Sequence, residues 1–186
     1  MMVVEVMGRH AGWIALYGGI AGGADVILLP EIEFTLEDIV RKVELLKALG
    51  QREIIVVVSE GAKIGGKLLT LDEETKGEVR LGGIASFLST KLETITGIET
   101  RYCVLGHIQR GGSPIPFDRV LGVRCGAKAI DLIEEGKFGE TVALHRVDMV
   151  SMPIEDAVRT LHIVDSQSQL VKAAREIGIS FGDASS

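Results

Sequence analysis

Nine residues, Gly106-His107-Ile108-Gln109-Arg110-Gly111-Gly112-Ser113-Pro114, gather a histidine, an arginine and three glycines directly after an apolar run. Arginine presents a planar fork of donors that matches phosphate oxygens. Glycine lets the backbone approach a ligand and adopt positive φ. Such a turn suits a bound anion, and it stands out in a chain whose formal charge is −6. Two further segments carry chemistry-bearing residues after apolar runs. Met7-Gly8-Arg9 precedes a small-residue stretch. Arg9 reads either as an anion ligand working with a helix N-terminus or as a solvated loop arginine, and the local pattern leaves both open. Glu60 follows Ile54, Ile55 and three valines. Its carboxylate can accept hydrogen bonds from sugar hydroxyls, serve as a general base, or carry a strand end into water.

Other motifs carry less. Gly61-Ala62-Lys63-Ile64-Gly65-Gly66-Lys67 fits a phosphate-loop spacing, but Leu68 stands where a magnesium-binding hydroxyl belongs and no helix opens there. It reads as a glycine-lysine loop. His145 and His162 are isolated, and no spacing of His, Cys and carboxylate predicts a metal site. No GxSxG elbow occurs.

The elements that must position these residues alternate. Strands are predicted over 3–6, 25–29, 54–58, 101–105 and 141–147, as short apolar runs rich in β-branched residues. Helices are predicted over 13–21, 84–95, 118–135 and 171–177. Another starts at the capping pair Thr35 and Asp38, carries the stripe Ile39, Val43, Leu46 and Leu49, and stops at Gly50. The helix at 118–135 is expected to turn Val120, Val123, Ala127, Ile130 and Ile133 inward. This order implies an α/β fold, a mostly parallel sheet with helices on both faces. Ligands of such sheets sit at the carboxyl ends of the strands, which is where Arg9, Glu60, His107 and Arg110 fall.

Length and composition bound the rest. At 186 residues and 46% hydrophobic content the chain has material for one domain or roughly one and a half. Its acidic balance excludes nucleic acid and anionic membrane surfaces as partners. No apolar run reaches a membrane span, and the first residues read as a strand rather than a signal peptide. Cys103 and Cys125 read as buried thiols in a reducing, cytoplasmic compartment. Residues 182–186 are expected to fray.

Four segments carry a resemblance: VEVMGRHAGW at 4–13, IAGGAD at 20–25, Val58-Ser59-Glu60, and RYCVLGHIQRGGSPIPFDR at 101–119. In this order and spacing they resemble the C-terminal half of 6-phosphofructokinase, in the bacterial branch that holds both ATP- and pyrophosphate-using members. The resemblance implies phosphoryl transfer from ATP or pyrophosphate to the 1-hydroxyl of fructose 6-phosphate in glycolysis, with Mg2+ as cofactor. It implies that Met7, Gly8 and Arg9 line the sugar phosphate, with Arg9 also near the transferred group. Glu60 would hold sugar hydroxyls, and His107 and Arg110 the 6-phosphate. Arg101 would reach the site of a neighbouring subunit in a homo-oligomer, a dimer or tetramer. Residues 1–110 would form the fructose-6-phosphate-binding domain, 111–150 a segment returning to a nucleotide domain, and 151–186 a helical tail.

The family's donor loop (GGDG or GGDD) and its threonine-isoleucine-aspartate motif, which carries the general base, do not occur in this sequence. The chain alone is therefore expected to be inactive, with 115–150 exposing apolar surface. Asp25 matches a family carboxylate that holds an effector's magnesium, but Leu49 and Gln51 replace the effector-binding lysines, so effector control is not expected. A non-catalytic sugar-phosphate-binding module and a truncated gene product are the alternatives.

Overall fold

The computed structural model describes residues 1–68, 70–72 and 80–184. The chain divides into two compact units, one formed by Met1–Arg110 with Ile163–Ser186 and the other by Gly111–His162.

The first unit is built on a four-stranded parallel sheet. Its strands are β1 (Met2–Val6), β2 (Val26–Leu28), β3 (Ile55–Ser59) and a later edge strand, Arg101–Val104, in the order β2-β3-β1-edge. Successive side chains on a strand point to opposite faces, so a strand buried on both sides is apolar throughout. The core divides accordingly. Val3, Val26, Leu28, Val56 and Val58 meet α2 (Leu36–Ala48) and α3 (Ile84–Thr96) on one face. Val6, Ile27, Leu29 and Val57 meet α1 (Trp13–Ala21) and the tail helix (Gln169–Glu176) on the other. The connection through α1 moves the chain from β1 out to β2, while those through α2 and α3 move it back, so right-handed crossovers require the two opposite faces.

Local chemistry fixes the helix ends. The Oγ1 of Thr35 accepts from the Asp38 N–H at 3.1 Å and donates to its carboxylate at 2.6 Å. At the other end of α2 the N–H groups of Gly50 and Gln51 donate to the carbonyls of Lys47 and Leu46, with Gly50 at φ +82. This glycine-closed turn is the one expected, although Leu49 caps the helix exposed rather than continuing the buried stripe. Helix α3 is met by a buried carboxylate: Glu5 of β1 is 2% exposed and accepts from the Ala85 N–H at 2.9 Å. The partial positive charge of a helix N-terminus offsets the cost of burying that anion.

Short hairpins follow β3: β4 (Lys63–Ile64) with β5 (Lys67–Leu68), and β6 (Thr70–Asp72) with β7 (Arg80–Leu81). The edge strand of the main sheet is thus β8 (Arg101–Val104).

The second unit comprises α4 (Pro116–Glu134), β9 (Glu140–His145), β10 (Asp148–Pro153) and α5 (Ile154–Arg159); the tail helix of the first unit is α6. The strand expected at 141–147 does not join the parallel sheet; as β9 it pairs antiparallel with β10. Helix α4 carries two apolar stripes. Leu121, Cys125, Ala129 and Leu132 are its more buried positions, and the helix packs on β9 and β10. The stripe expected to face inward is exposed, with Val120 at 58% and Val123 at 73%. The thiols also differ from expectation: Cys103 is exposed, because β8 is an edge strand with little cover, and Cys125 is half-buried; both are free. Nor do residues 182 and 183 fray. Gly182 accepts from the Thr35 N–H at 2.9 Å, and Asp183 pairs twice with Arg175. Residues 185 and 186 lie outside the described residues.

Candidate active site

In an open parallel sheet, a crevice forms where adjacent strands send their following connections to opposite faces. In this sheet that switch lies between β1, which leads into α1 on one face, and β3, whose next helix α3 lies on the other. The carboxyl ends of those two strands are Met7-Gly8-Arg9 and Glu60. A cavity of about 480 Å3 occupies the crevice, lined by Met7, Gly8, Arg9, Ile14, Glu60, Gln109 and Arg110.

The loop after β1 is tightly held. Arg9 has φ +49, a left-handed conformation that costs a non-glycine residue about 1–2 kcal/mol. Residues just after β3 hold it in place. The Oε1 of Glu60 accepts from the N–H of Gly8 at 3.1 Å and of Arg9 at 3.0 Å. Gly61 supplies space, since a Cβ there would stand 1.5 Å from the Arg9 carbonyl oxygen. The N–H of Met7 donates to the Gln109 Oε1 at 2.8 Å. Three consecutive backbone donors, at 7, 8 and 9, are therefore engaged by side chains from two other segments. Gly8 itself leaves no room for a side chain: a Cβ would lie 2.5 Å from the Ala11 carbonyl oxygen and 3.1 Å from the Ser59 Oγ.

The Gly106–Arg110 stretch forms a 3-10 turn after β8, with Gly106 at φ +48. It brings Gln109 and Arg110 to the cavity, while His107 on the same turn is exposed and outside the lining. Met7, Gly8, Arg9, Glu60 and Arg110 thus come together. Arg101 does not: it begins β8, about 13 Å of strand away from Leu105, and its guanidinium pairs with Glu99 at 2.6 and 3.0 Å. Nothing in the local sequence pattern distinguishes Gln109 or Ile14. Gln109 stands inside the most informative motif, yet its partner is 102 residues away and no local pattern names it.

Elsewhere, Gly61–Lys67 opens the β4–β5 hairpin and no helix, unlike a phosphate loop. Asp25 is taken up by its own fold, accepting from the Gln51 Nε2 at 2.7 Å and the Ile55 N–H at 2.8 Å. Among the described residues no group of three or more His, Cys, Asp or Glu is placed to hold a metal ion. No described helix is long and apolar enough to cross a membrane.

A family model described as Phosphofructokinase matches residues 1–133, a span that includes every residue of the cavity. The chain belongs to the phosphofructokinase family. An ATP-dependent 6-phosphofructokinase of Chloroflexus aggregans is 50% identical over 183 residues, which cover 98% of this chain and 50% of that protein. A pyrophosphate--fructose 6-phosphate 1-phosphotransferase of Streptomyces coelicolor is 43% identical over 184 residues, 98% of this chain and 52% of that protein. Among solved structures, Pichia pastoris phosphofructokinase in the T-state matches with TM-score 0.69 and 29% identity, over 96% of this chain and 19% of that one. A pyrophosphate-dependent phosphofructokinase from Nitrosospira multiformis gives TM-score 0.74 at 23% identity, over 98% and 48% respectively, a likeness of fold. This phosphofructokinase chain spans about half the length of the curated relatives it matches.

Proposed function

We propose that the chain is the acceptor-binding half of a 6-phosphofructokinase, which transfers a phosphoryl group from ATP or pyrophosphate to the 1-hydroxyl of fructose 6-phosphate. The observation that carries this reading is the convergence of Arg9, Arg110 and the Glu60 carboxylate on one cavity at the strand switch point. A sugar phosphate demands such a set: cations for a dianion at one end and an acceptor for neutral hydroxyls at the other.

Arg110 holds the 6-phosphate from the 3-10 turn, and His107, exposed on the same turn, reaches it from outside the cavity lining. Glu60 has Oε1 committed to the Gly8 and Arg9 amides, and its other oxygen receives a sugar hydroxyl. Because the amides of 7, 8 and 9 are engaged, the phosphate is bound by side chains rather than by that backbone. Arg9, locked by its left-handed loop, presents its charge toward the group in transit. Phosphoryl transfer is accelerated mainly by positioning and charge stabilisation, so a guanidinium carried on an anchored loop is the contribution this half makes. Arg101, at the opposite end of β8, serves the site of a neighbouring subunit in a homo-oligomer, in a cytoplasmic, glycolytic enzyme. Magnesium is implied by the family, but the described residues do not fit a resident site and no step in this chain is assigned to it. The donor loop and general base are contributed by sequence outside this chain, and the exposed apolar residues of 111–162 pack against it.

Two measurements test the reading. Calorimetry should detect fructose 6-phosphate binding to the chain, and Arg110→Ala should weaken it by about 1.5–3 kcal/mol, as for loss of hydrogen bonds to a charged group. Unchanged affinity would remove Arg110 from the phosphate site. An assay of the chain with fructose 6-phosphate, magnesium and either donor should show no turnover. Turnover within the ordinary kinase range would overturn the assignment of the donor side to another segment.

A further inference from the structure

The side-chain amide of Gln109 joins the turn that carries His107 and Arg110 to the loop that carries Arg9. Its Oε1 accepts from the Met7 N–H at 2.8 Å, while the residue itself lines the cavity together with Glu60 and Arg110. Met7 begins the run of three amides whose other two members are held by Glu60. We infer that Gln109 is a positioning residue: it latches the Arg110 turn to the Arg9 loop, so that an anion held by the turn also fixes the register of Arg9.

The chemistry favours an amide in this place. A hydrocarbon side chain would leave the Met7 N–H without this acceptor, and the turn would lose this tie to the loop. A carboxylate would preserve the bond but place a second negative charge beside Glu60 and the bound anion. A neutral acceptor with a donor on its other side meets both demands, since the Nε2 of the same amide carries hydrogens and no negative charge. The coupling reaches Arg9 in two steps along the backbone, through a closely packed loop: a Cβ at Gly8 would stand 2.5 Å from the Ala11 carbonyl oxygen and one at Gly61 1.5 Å from that of Arg9. The inference rests on the reading of Arg110 as an anion ligand, but the latch itself is testable without it.

The test uses the 186-residue chain and amide hydrogen exchange at Met7, with inorganic phosphate as probe. In Gln109→Met and Gln109→Ala the Met7 amide should exchange about tenfold faster than in the unaltered chain, while Gln109→Glu restores its protection. Exchange in the β3 core should stay unchanged in all three, which separates loss of the latch from general loosening. Equal Met7 exchange in the unaltered chain and in both Gln109→Met and Gln109→Ala would overturn the proposal. Saturating phosphate should further slow Met7 exchange in the unaltered chain and leave it unaltered in Gln109→Met. Phosphate protection that persists in Gln109→Met would overturn the coupling. A chain that binds no phosphate and yet shows the first pattern would sink the anion-site reading and the coupling built on it, and would keep Gln109 only as a structural tie.

Discussion

The two units use similar apolar content in opposite ways. In the first, both faces of a parallel sheet are covered, and Val3, Val26, Leu28, Val56, Val58, Ile84, Leu88 and Leu92 are fully buried. In the second, helix α4 buries one side chain, Leu132, while Phe117, Val120, Val123, Ile130 and Ile133 are each more than half exposed. The difference teaches that periodicity reveals an apolar stripe but not what covers it. Burial is decided by the elements that arrive, and the sheet unit has helices on both sides whereas α4 has one hairpin.

The contrast can be broken most directly in the sheet unit. Leu88→Ala should destabilise that unit by about 2–5 kcal/mol, because a fully buried leucine leaves a cavity between α3 and the sheet. Urea unfolding followed by the fluorescence of Trp13, the only tryptophan, reads that unit. A loss below 1 kcal/mol would mean that this core is as loosely packed as the exposed face of α4. Next in size, Thr35→Ala should cost about 1 kcal/mol in the same measurement, the usual worth of a helix cap. The smallest effect sharpens the comparison from the other side. Val123→Ser should change the unfolding of the second unit, followed by far-UV circular dichroism, by less than about 0.5 kcal/mol, as exposed substitutions do. A loss as large as that of Leu88→Ala would show that Val123 is covered in solution.

Much of the sheet unit was legible because its elements are locally consistent. The β-branched runs predicted β1, β2, β3 and β8 to within a residue or two, and Thr35, Asp38 and Gly50 bracketed α2. The hairpin β9–β10 was not legible as such. Its loop, Arg146-Val147, carries no Gly, Asn or Asp to announce a tight turn, and Arg146 takes φ +57 in spite of its side chain. Of the candidate site, the residue types and their strand-end positions could be read, but their connections could not. Glu60 bonding Gly8 and Arg9, and Gln109 bonding Met7, are contacts between segments 51 to 102 residues apart. Glu31 is a similar case: it accepts from the N–H groups of both Gly12 and Val164, joining the first helix to the returning tail.

That returning tail has a consequence for synthesis. One face of the sheet is closed by α1 and by Val164, Val171, Ala174, Ile179 and Phe181, the last of which is fully buried. Ser180 also pairs with Val26 alongside β2. While a ribosome is still adding these residues, the α2 and α3 side can already assemble, but the α1 side lacks the part of its cover that the tail supplies. The chain therefore passes through a stage with one finished layer and one covered only by α1, and the contacts that end it span most of its length, the kind that form slowly. A helper that shields apolar surface would act during that interval, on the face that α6 finally covers.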